Sequence, residues 1–521
     1  MTHTSRLDEL PSAKRDIIAH DSLLSDRRYA ALALGLALGV VLLGCTAAWY
    51  YYRAGLTLSH YDAKAHLVVA RRVLDSLTPG WKQVGGVWLP LPHLLNLLPV
   101  QIDAFYRTGF SAVFISVMAF GLAAWSSARI VLRLTGSPVG AVAAALVLAS
   151  SPDMLYLQAT PMTEALLLGL TTLAVALVLE WVEDQTARRL RFAGAAIVAA
   201  CLTRYEAWPV TAALLGLATF VLWRRGLGAT EAVRRVSRLA VYPVLSVLAF
   251  LVQSRLSTGA WFVTGGFFVA DNPDLGRPFK AMGSVWWGTH VLNGYGVLLF
   301  AVAGALIVTV VALTSRRRSP ALVVLALAAT AALPWYAFFE GHPFRIRYMV
   351  PLLPALAVWS GTAIGMLPRR AGWAAAAILA GVLGWQARPF NQHAPMVIEA
   401  QLDRPNGIER REKVTRYLAG HRRGEKVLVS FGSLSHYVHE LSSAGFQVRD
   451  FIHEGNDVIW NAALEHPYAH AGWILAEERA EGGDQLSARA AQDARFLEGF
   501  ERVAEGGGVA LYQRTGKTGK R

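Results

Sequence analysis

Apolar runs of similar length alternate along this chain with short polar stretches. Met1 to Arg28 is polar, and an apolar run follows from Ala30 to Tyr52. Further runs lie near 105–127, 138–152, 162–182, 190–203, 208–223, 239–255, 289–314, 320–338, 349–367 and 371–387. A helix rises about 1.5 Å per residue, so roughly 20 apolar residues cross a hydrocarbon core of about 30 Å. The pattern therefore predicts about eleven transmembrane helices. The first reads as a retained signal anchor, because no clear small-residue cleavage site follows it.

One run tests that scheme. Phe192 to Trp223 is interrupted by TRYEAWP (203–209). As a single long helix it would move every later loop to the wrong face. As two short helices turning at TRYEAWP it preserves the alternation described below. Short, interrupted helices also recess polar groups below the membrane surface, where membrane proteins place their sites. Beyond about Leu402 no run is long enough to span. KVLVSF (426–431), FQVRDF (446–451), WILAEE (473–478) and GVALYQ (508–513) predict strands, while SLSHYVHELSS, VIWNAALEH and DQLSARAAQDARFLEGF predict helices. This is the pattern of a small soluble α/β domain.

Composition agrees: 54% of the 521 residues are hydrophobic and 17% charged, with a mean hydropathy of +0.36, too apolar for an ordinary soluble protein. The net charge of +14 raises the question of a nucleic-acid partner. Its distribution argues against one. Arg129 and Arg133, then Arg188, Arg189 and Arg191, then Arg224, Arg225, Arg234, Arg235 and Arg238, then Arg316 to Arg318, then Arg369 and Arg370 fall in alternate loops. With the basic N-terminal tail these are the expected cytoplasmic loops. The loops 51–104, 153–161, 203–208, 256–288 and 339–348, and everything after 388, then lie outside. The two cysteines, Cys45 and Cys201, both sit in apolar runs and suggest neither a disulfide framework nor a zinc site.

On the outer face the polar groups beside apolar runs are few. They are Asp62, Lys64 and His66 in LSHYDAKAHLVVARRVL (58–74), with Arg71 and Arg72; Glu164; Arg204 and Glu206; and His342, Arg345, Arg347 and Tyr348. Charges near a bilayer are costly and usually face a protein cavity, so their convergence suggests one site with acid and cation roles. Plainer readings stand beside this. Arg71 and Arg72 fit an amphipathic helix touching lipid headgroups, Glu164 or Glu206 fits a structural pair with Arg204, and Asp62 fits a helix N-cap. Trp81, Trp88, Trp261, Trp286 and Trp287 fit an interfacial belt. His436 and His439, with Glu440, form only a weak metal signal. The functional reading of Asp62 is a general base that takes a proton from an acceptor hydroxyl.

In order along the chain, YDAKAHLVVARRV (61–73), QATPMTEALLLGLTTLAVAL (158–177), LTRYEAWPV (202–210) and RIRYMVPLLPALAVWSG (345–361) resemble the GT-C superfamily of integral-membrane glycosyltransferases. The branch is that of protein O-mannosyltransferases and lipid A aminoarabinose transferases (glycosyltransferase family 39-like), and the resemblance covers roughly residues 30–370. It implies a polyprenyl-phosphate-linked sugar as donor, used on the extracytoplasmic side. It implies Asp62 as base, and Arg345 and Arg347 on the lipid phosphate, whose oxygens match a guanidinium fork. Lys64, Arg204 and His342 become phosphate or acceptor contacts, and Glu164 and Glu206 orient acceptor or sugar hydroxyls; His66 and Tyr348 join the substrate-binding set. Many relatives carry two adjacent acids in the first outer loop, whereas Ala63 follows Asp62 here. Any role of the second acid, metal binding included, is thus not carried over.

The expectation is an α-helical polytopic membrane protein of GT-C type with a C-terminal soluble α/β domain. Its divisions are a cytoplasmic tail (1–28), a transmembrane catalytic domain (29–388) and an extracytoplasmic domain (389–521). The expected activity is sugar transfer from a polyprenyl phosphate to an acceptor hydroxyl or amine of a glycan, lipid or protein, in a bacterial plasma membrane. No nucleotide or Gly-rich phosphate loop is present; no cofactor is named, and a divalent metal is left open. The alternatives are a transporter or flippase of a lipid-linked sugar, and a scaffold presenting its C-terminal domain. Neither the sugar nor the acceptor is legible.

Overall fold

The computed structural model describes residues 12–263, 268–269, 271–386, 388, 390–403, 408–479 and 483–516. Each expected apolar run forms a helix. In chain order they are Ser12–Arg53, Phe110–Thr135, Pro138–Ser150, Glu164–Glu183, Ala187–Cys201, Ala207–Arg224, Ala229–Thr258, Pro278–Thr314, Ser319–Phe339, Ile346–Gly365 and Arg369–Gln386. Among the described residues, eight helices are long and apolar enough to cross a membrane. Pro138–Ser150 has 13 residues and Ala187–Cys201 has 15, so each falls short of the roughly 30 Å of a hydrocarbon core. Arg369–Gln386 opens on two arginines and is also outside the eight. Three of the eleven helices are thus shorter or more polar than that length requires.

The interrupted run is two helices, ending at Cys201 and restarting at Ala207. Between them Thr203 and Arg204 leave the helical path, and Trp208 Nε1 donates back to the Cys201 carbonyl at 2.9 Å. Small residues let the helices approach. A Cβ added at Gly140 would lie 2.5 Å from the Gly361 carbonyl oxygen, and one at Gly361 would lie 2.6 Å from that of Gly140. Backbone contact of this kind drives helix association where apolar burial gives no advantage over lipid. Ion pairs Arg129–Glu180 and Arg133–Glu183 tie two spans at the arginine-rich end.

The C-terminal sheet has five strands: β1 (Val427–Val429), β2 (Phe451–Ile452), β3 (Trp473–Glu477), β4 (Phe500–Gly506) and β5 (Val509–Arg514). Their order is β2-β1-β3-β5-β4, with β1 parallel to β2 and β3, and β5 antiparallel to β3 and β4. Two local expectations fail. FQVRDF yields strand only at its end, because Asp450 Oδ2 accepts from the Gln447 amide at 2.8 Å and curls the segment into a short 3-10 turn. The helix expected to run through FLEGF stops at Gln492, and Phe500 opens β4 instead. Gly507 and Gly508, at φ 57° and 80°, make the β4–β5 turn, a conformation that side chains disfavour.

Several elements bind this domain to the helical part, two of them at the site described below. The helix Pro395–Asp403, expected to open the soluble domain, packs back on Pro152–Leu157, with the Met396 amide donating to Asp153 Oδ1 at 2.9 Å. The helix Tyr61–Arg72 contributes Leu67, Val68 and Ala70 to the core formed by Val427, Val429, Tyr437, Val438 and Leu441.

Candidate active site

The helix Tyr61–Arg72 has two working faces. At about 100° per residue, Asp62 and His66 share one stripe. Tyr61, Lys64, Val68 and Arg71 share another, more than a quarter of a turn away. The helix is capped by His60, whose Nδ1 accepts from the Asp62 amide at 3.2 Å. The capping role open to Asp62 thus falls to its neighbour, and the Asp62 carboxylate is left for other partners.

That carboxylate meets Arg347. Arg347 Nη2 donates to Asp62 Oδ2 at 2.5 Å, and the two side chains are 15% and 30% exposed. Burial alone would raise the Asp62 pKa, but the charge of Arg347 and the bond from it hold it well below the usual carboxylate range. His60 also contacts Glu399: Nε2 lies 3.1 Å from Glu399 Oε1. Because His60 Nδ1 accepts, Nε2 carries the proton and donates to Glu399. The Arg347 Nη1, 3.1 Å from the same Nε2, is then a close neighbour rather than a donor to it. Asp403 accepts from the Tyr61 amide, and burial pushes its pKa up to about 6. Three carboxylates thus gather at a helix N-terminus, the end that favours negative charge.

A second knot centres on Arg204. Its Nη1 donates to Glu164 Oε1 at 3.0 Å and to Thr163 Oγ1 at 3.1 Å, while Nη2 donates to Glu206 Oε1 at 2.7 Å. Glu164 is fully buried and Glu206 is 3% exposed, so the turn at 202–206 exists to hold one guanidinium between two acids. Glu164 Oε2 has no hydrogen-bond partner among the described residues. Removing one member of a buried ion network costs about 3–5 kcal/mol, because the remaining charges lose compensation. Arg204→Ala is expected to lower stability by that amount, read from thermal unfolding in micelles. A shift near zero would show that the two acids are compensated elsewhere.

On the Asp62 stripe, His66 Nδ1 lies 3.0 Å from His93 Nε2, and the His66 ring packs on Trp88 with centroids 4.2 Å apart. Trp88 is therefore held against the site rather than serving only as a belt residue. Burial lowers the His66 pKa to about 4, against upward pulls from Asp62 and Glu164. In the unfolded chain the ring titrates near 6.5. Between these values the unfolded state binds a proton that the folded state refuses, so this contribution is complete above pH 6.5 and declines as pH falls toward 4. His66→Gln is expected to flatten the loss of thermal stability between pH 7 and pH 5, a window set by these values; an unchanged slope would assign that loss to other groups.

The other expected site residues disperse. Tyr348 OH lies 3.3 Å from His342 Nε2, and His342 Nδ1 donates to the Pro343 carbonyl at 2.8 Å. Arg345 is close enough to Glu399 to act on its charge. Lys64 turns away from Asp62 and pairs with Glu440 in the C-terminal domain. Arg71 and Arg72 are engaged by protein partners. Arg71 is 6% exposed and bonds Asp75 at 3.0 Å and Asp103 at 2.7 Å, and Arg72 Nε donates to the Gln83 carbonyl at 2.5 Å. His436, His439 and Glu440 take separate partners, Arg411, the Tyr106 carbonyl and Lys64. Among the described residues no group of three or more His, Cys, Asp or Glu is placed to hold a metal ion.

His60, Glu399, Thr163 and His93 belong to the site and were not read from sequence. His60 carries a weak signal, as the polar residue just before a helix beginning with an acid. Glu399 carries none, since it lies 339 positions from His60.

No family model matches the chain, and no curated protein matches it. Solved structures do. The crystal structure of ArnT from Cupriavidus metallidurans bound to undecaprenyl phosphate is similar over 92% of this chain and 98% of its own, with a TM-score of 0.55 and 13% identity. The apo structure of the same protein is similar over 91% and 98%, with a TM-score of 0.56 and 14% identity. The chain is a multi-pass membrane protein that, at this identity, shares a fold with ArnT.

Proposed function

We propose that this protein is a membrane glycosyltransferase that moves a sugar from a polyprenyl phosphate to an acceptor hydroxyl or amine, with Asp62 as general base. The observation that carries the reading is the Asp62–Arg347 pair, in a fold shared with a protein solved with undecaprenyl phosphate bound. Asp62 accepts the proton of the acceptor O–H. The acceptor oxygen bonds to the anomeric carbon, and the bond from that carbon to the phosphate oxygen breaks with its electron pair going to phosphate. Arg347 neutralises the charge that grows there.

The ion pair also supplies a control. While Arg347 holds Asp62, the carboxylate is a weak base. A donor phosphate competes for the same guanidinium fork and loosens that hold, so Asp62 gains basicity when donor is present. Glu164 Oε2, free of hydrogen bonds among the described residues, is the candidate acceptor of a substrate hydroxyl proton, with Glu206 beside it across Arg204. In this reading Lys64, paired with Glu440, is given no substrate contact. The arginine-rich loops support placing Asp62 on the extracytoplasmic side of a bacterial plasma membrane, with residues 1–28 inside and 389–521 outside.

The test is transfer in membranes supplied with a cell extract containing polyprenyl-phosphate sugars and acceptors, followed by mass spectrometry. The expected result is a sugar-modified product present with this protein and absent without it. Intact lipid-linked sugar that changes leaflet without losing its sugar would instead establish the flippase reading.

A further inference from the structure

The back face of the Asp62 helix packs on a helix of the C-terminal domain, Phe431–Leu441. His436 and Glu440 are four apart on it, and therefore on one stripe. Tyr61 and Lys64 are three apart on the Asp62 helix, likewise on one stripe. The rings of Tyr61 and His436 stack with centroids 4.1 Å apart and planes 17° from parallel. Lys64 Nζ donates to Glu440 Oε1 with both side chains under one tenth exposed. The two contacts flank Asp62 along the sequence, while Asp62 itself points to Arg347.

The Tyr61–His436 contact is braced from behind, whereas Glu440 is held through Lys64. His436 Nε2 accepts from Arg411 Nη1 at 2.6 Å, and Arg411 Nη2 donates to Glu477 Oε1 at 2.8 Å. Glu440 Oε2 has no other hydrogen-bond partner among the described residues. The far end of the helix is tied as well: Asp75 accepts from Arg71 and from Arg449, and Val448 donates its amide to Asp75 at 3.2 Å. The apolar core between is shared. The sheet and the Asp62 helix are thus one packed body, and two buried polar contacts set the rotation of its first turn.

We infer that the C-terminal domain is a clamp that sets the position of Asp62, with Glu440 as a positioning residue acting through Lys64. This rests on Asp62 being the base, so the test has one arm that does not depend on transfer. Amide hydrogen exchange is measured on the full-length protein in micelles, for wild type, Glu440→Gln and the reversed pair Lys64→Glu with Glu440→Lys. Glu440→Gln is expected to speed exchange over 61–72 by about 10-fold while β1 and β3 keep their protection, and the reversed pair is expected to restore it. In the transfer assay, Glu440→Gln is expected to lower kcat by about 10-fold with donor KM unchanged, as a misplaced base requires.

Unchanged exchange over 61–72, or an unchanged kcat, would overturn the clamp. Exchange that rises equally in β1 and β3 would also overturn it, because the bridge would then hold the domain fold rather than the helix. Faster exchange over 61–72 in a protein whose wild type transfers no sugar would sustain the clamp and remove the glycosyltransferase reading instead.

Discussion

Asp62→Asn is expected to slow sugar transfer by about 10²–10⁴-fold, the range that a positioned general base supplies, with the protein still inserted and folded. Asparagine keeps the shape of the side chain and an oxygen to accept from Arg347, so the pocket is preserved. It removes the acceptor of the proton and the charge that holds Arg347. With Arg347 released, its fork is more available to the donor phosphate. The loss should therefore fall on kcat, while donor KM stays level or drops. Steady-state kinetics at matched protein level reads this split. Equal rates for variant and wild type would move the base to Glu164 or Glu206.

Arg347→Ala carries the second large effect, on the order of 10²–10³-fold in kcat, by analogy with losing one preorganised donor to a developing anion. Two changes work in opposite directions. Loss of Arg347 removes what holds the Asp62 pKa down, so Asp62 becomes a stronger base. It also leaves the leaving phosphate without its counter-charge, and that loss dominates because a stronger base does nothing for the departing group. Arg347→Lys keeps the charge without the planar fork and should fall between wild type and alanine. Its Asp62 should stay ionised to lower pH than in the alanine variant. If lysine and alanine variants were equally impaired, geometry rather than charge would be the contribution of Arg347.

The helical architecture was legible because lipid imposes it. Twenty apolar residues have few uses outside a membrane, and each run from Ala30 to Trp385 became a helix. The turn at TRYEAWP was legible because Arg204 and Glu206 have no place inside a span, and the structure closes them on Glu164. The convergence of Asp62 with Arg347 came from motif order and not from spacing, since 285 positions separate them.

What was not legible depends on long-range placement. Glu399 looked like part of a soluble tail until the helix Pro395–Asp403 folded back on the site. The resemblance implied Lys64 as a phosphate or acceptor contact, but two residues along a helix from Asp62 is nearly the opposite side, where Glu440 lies. Arg71 and Arg72 looked like headgroup residues because nothing in sequence announces that Asp75, Asp103 and Gln83 are their partners. Strand β4 was hidden by a helical pattern running into it, although the Gly507–Gly508 pair beyond it marked a hairpin.

The central claim is that this chain breaks the bond between sugar and polyprenyl phosphate and passes the sugar on. The most direct measurement uses purified protein in vesicles with a polyprenyl-phosphate sugar fraction and acceptor extract, and quantifies free polyprenyl phosphate and sugar-modified acceptor together by mass spectrometry. The account predicts that the two products rise in equal amounts with wild type and that both fall with Asp62→Asn. Wild-type protein that leaves the lipid-linked sugar intact, or that frees polyprenyl phosphate at the same rate with Asp62→Asn, would contradict it.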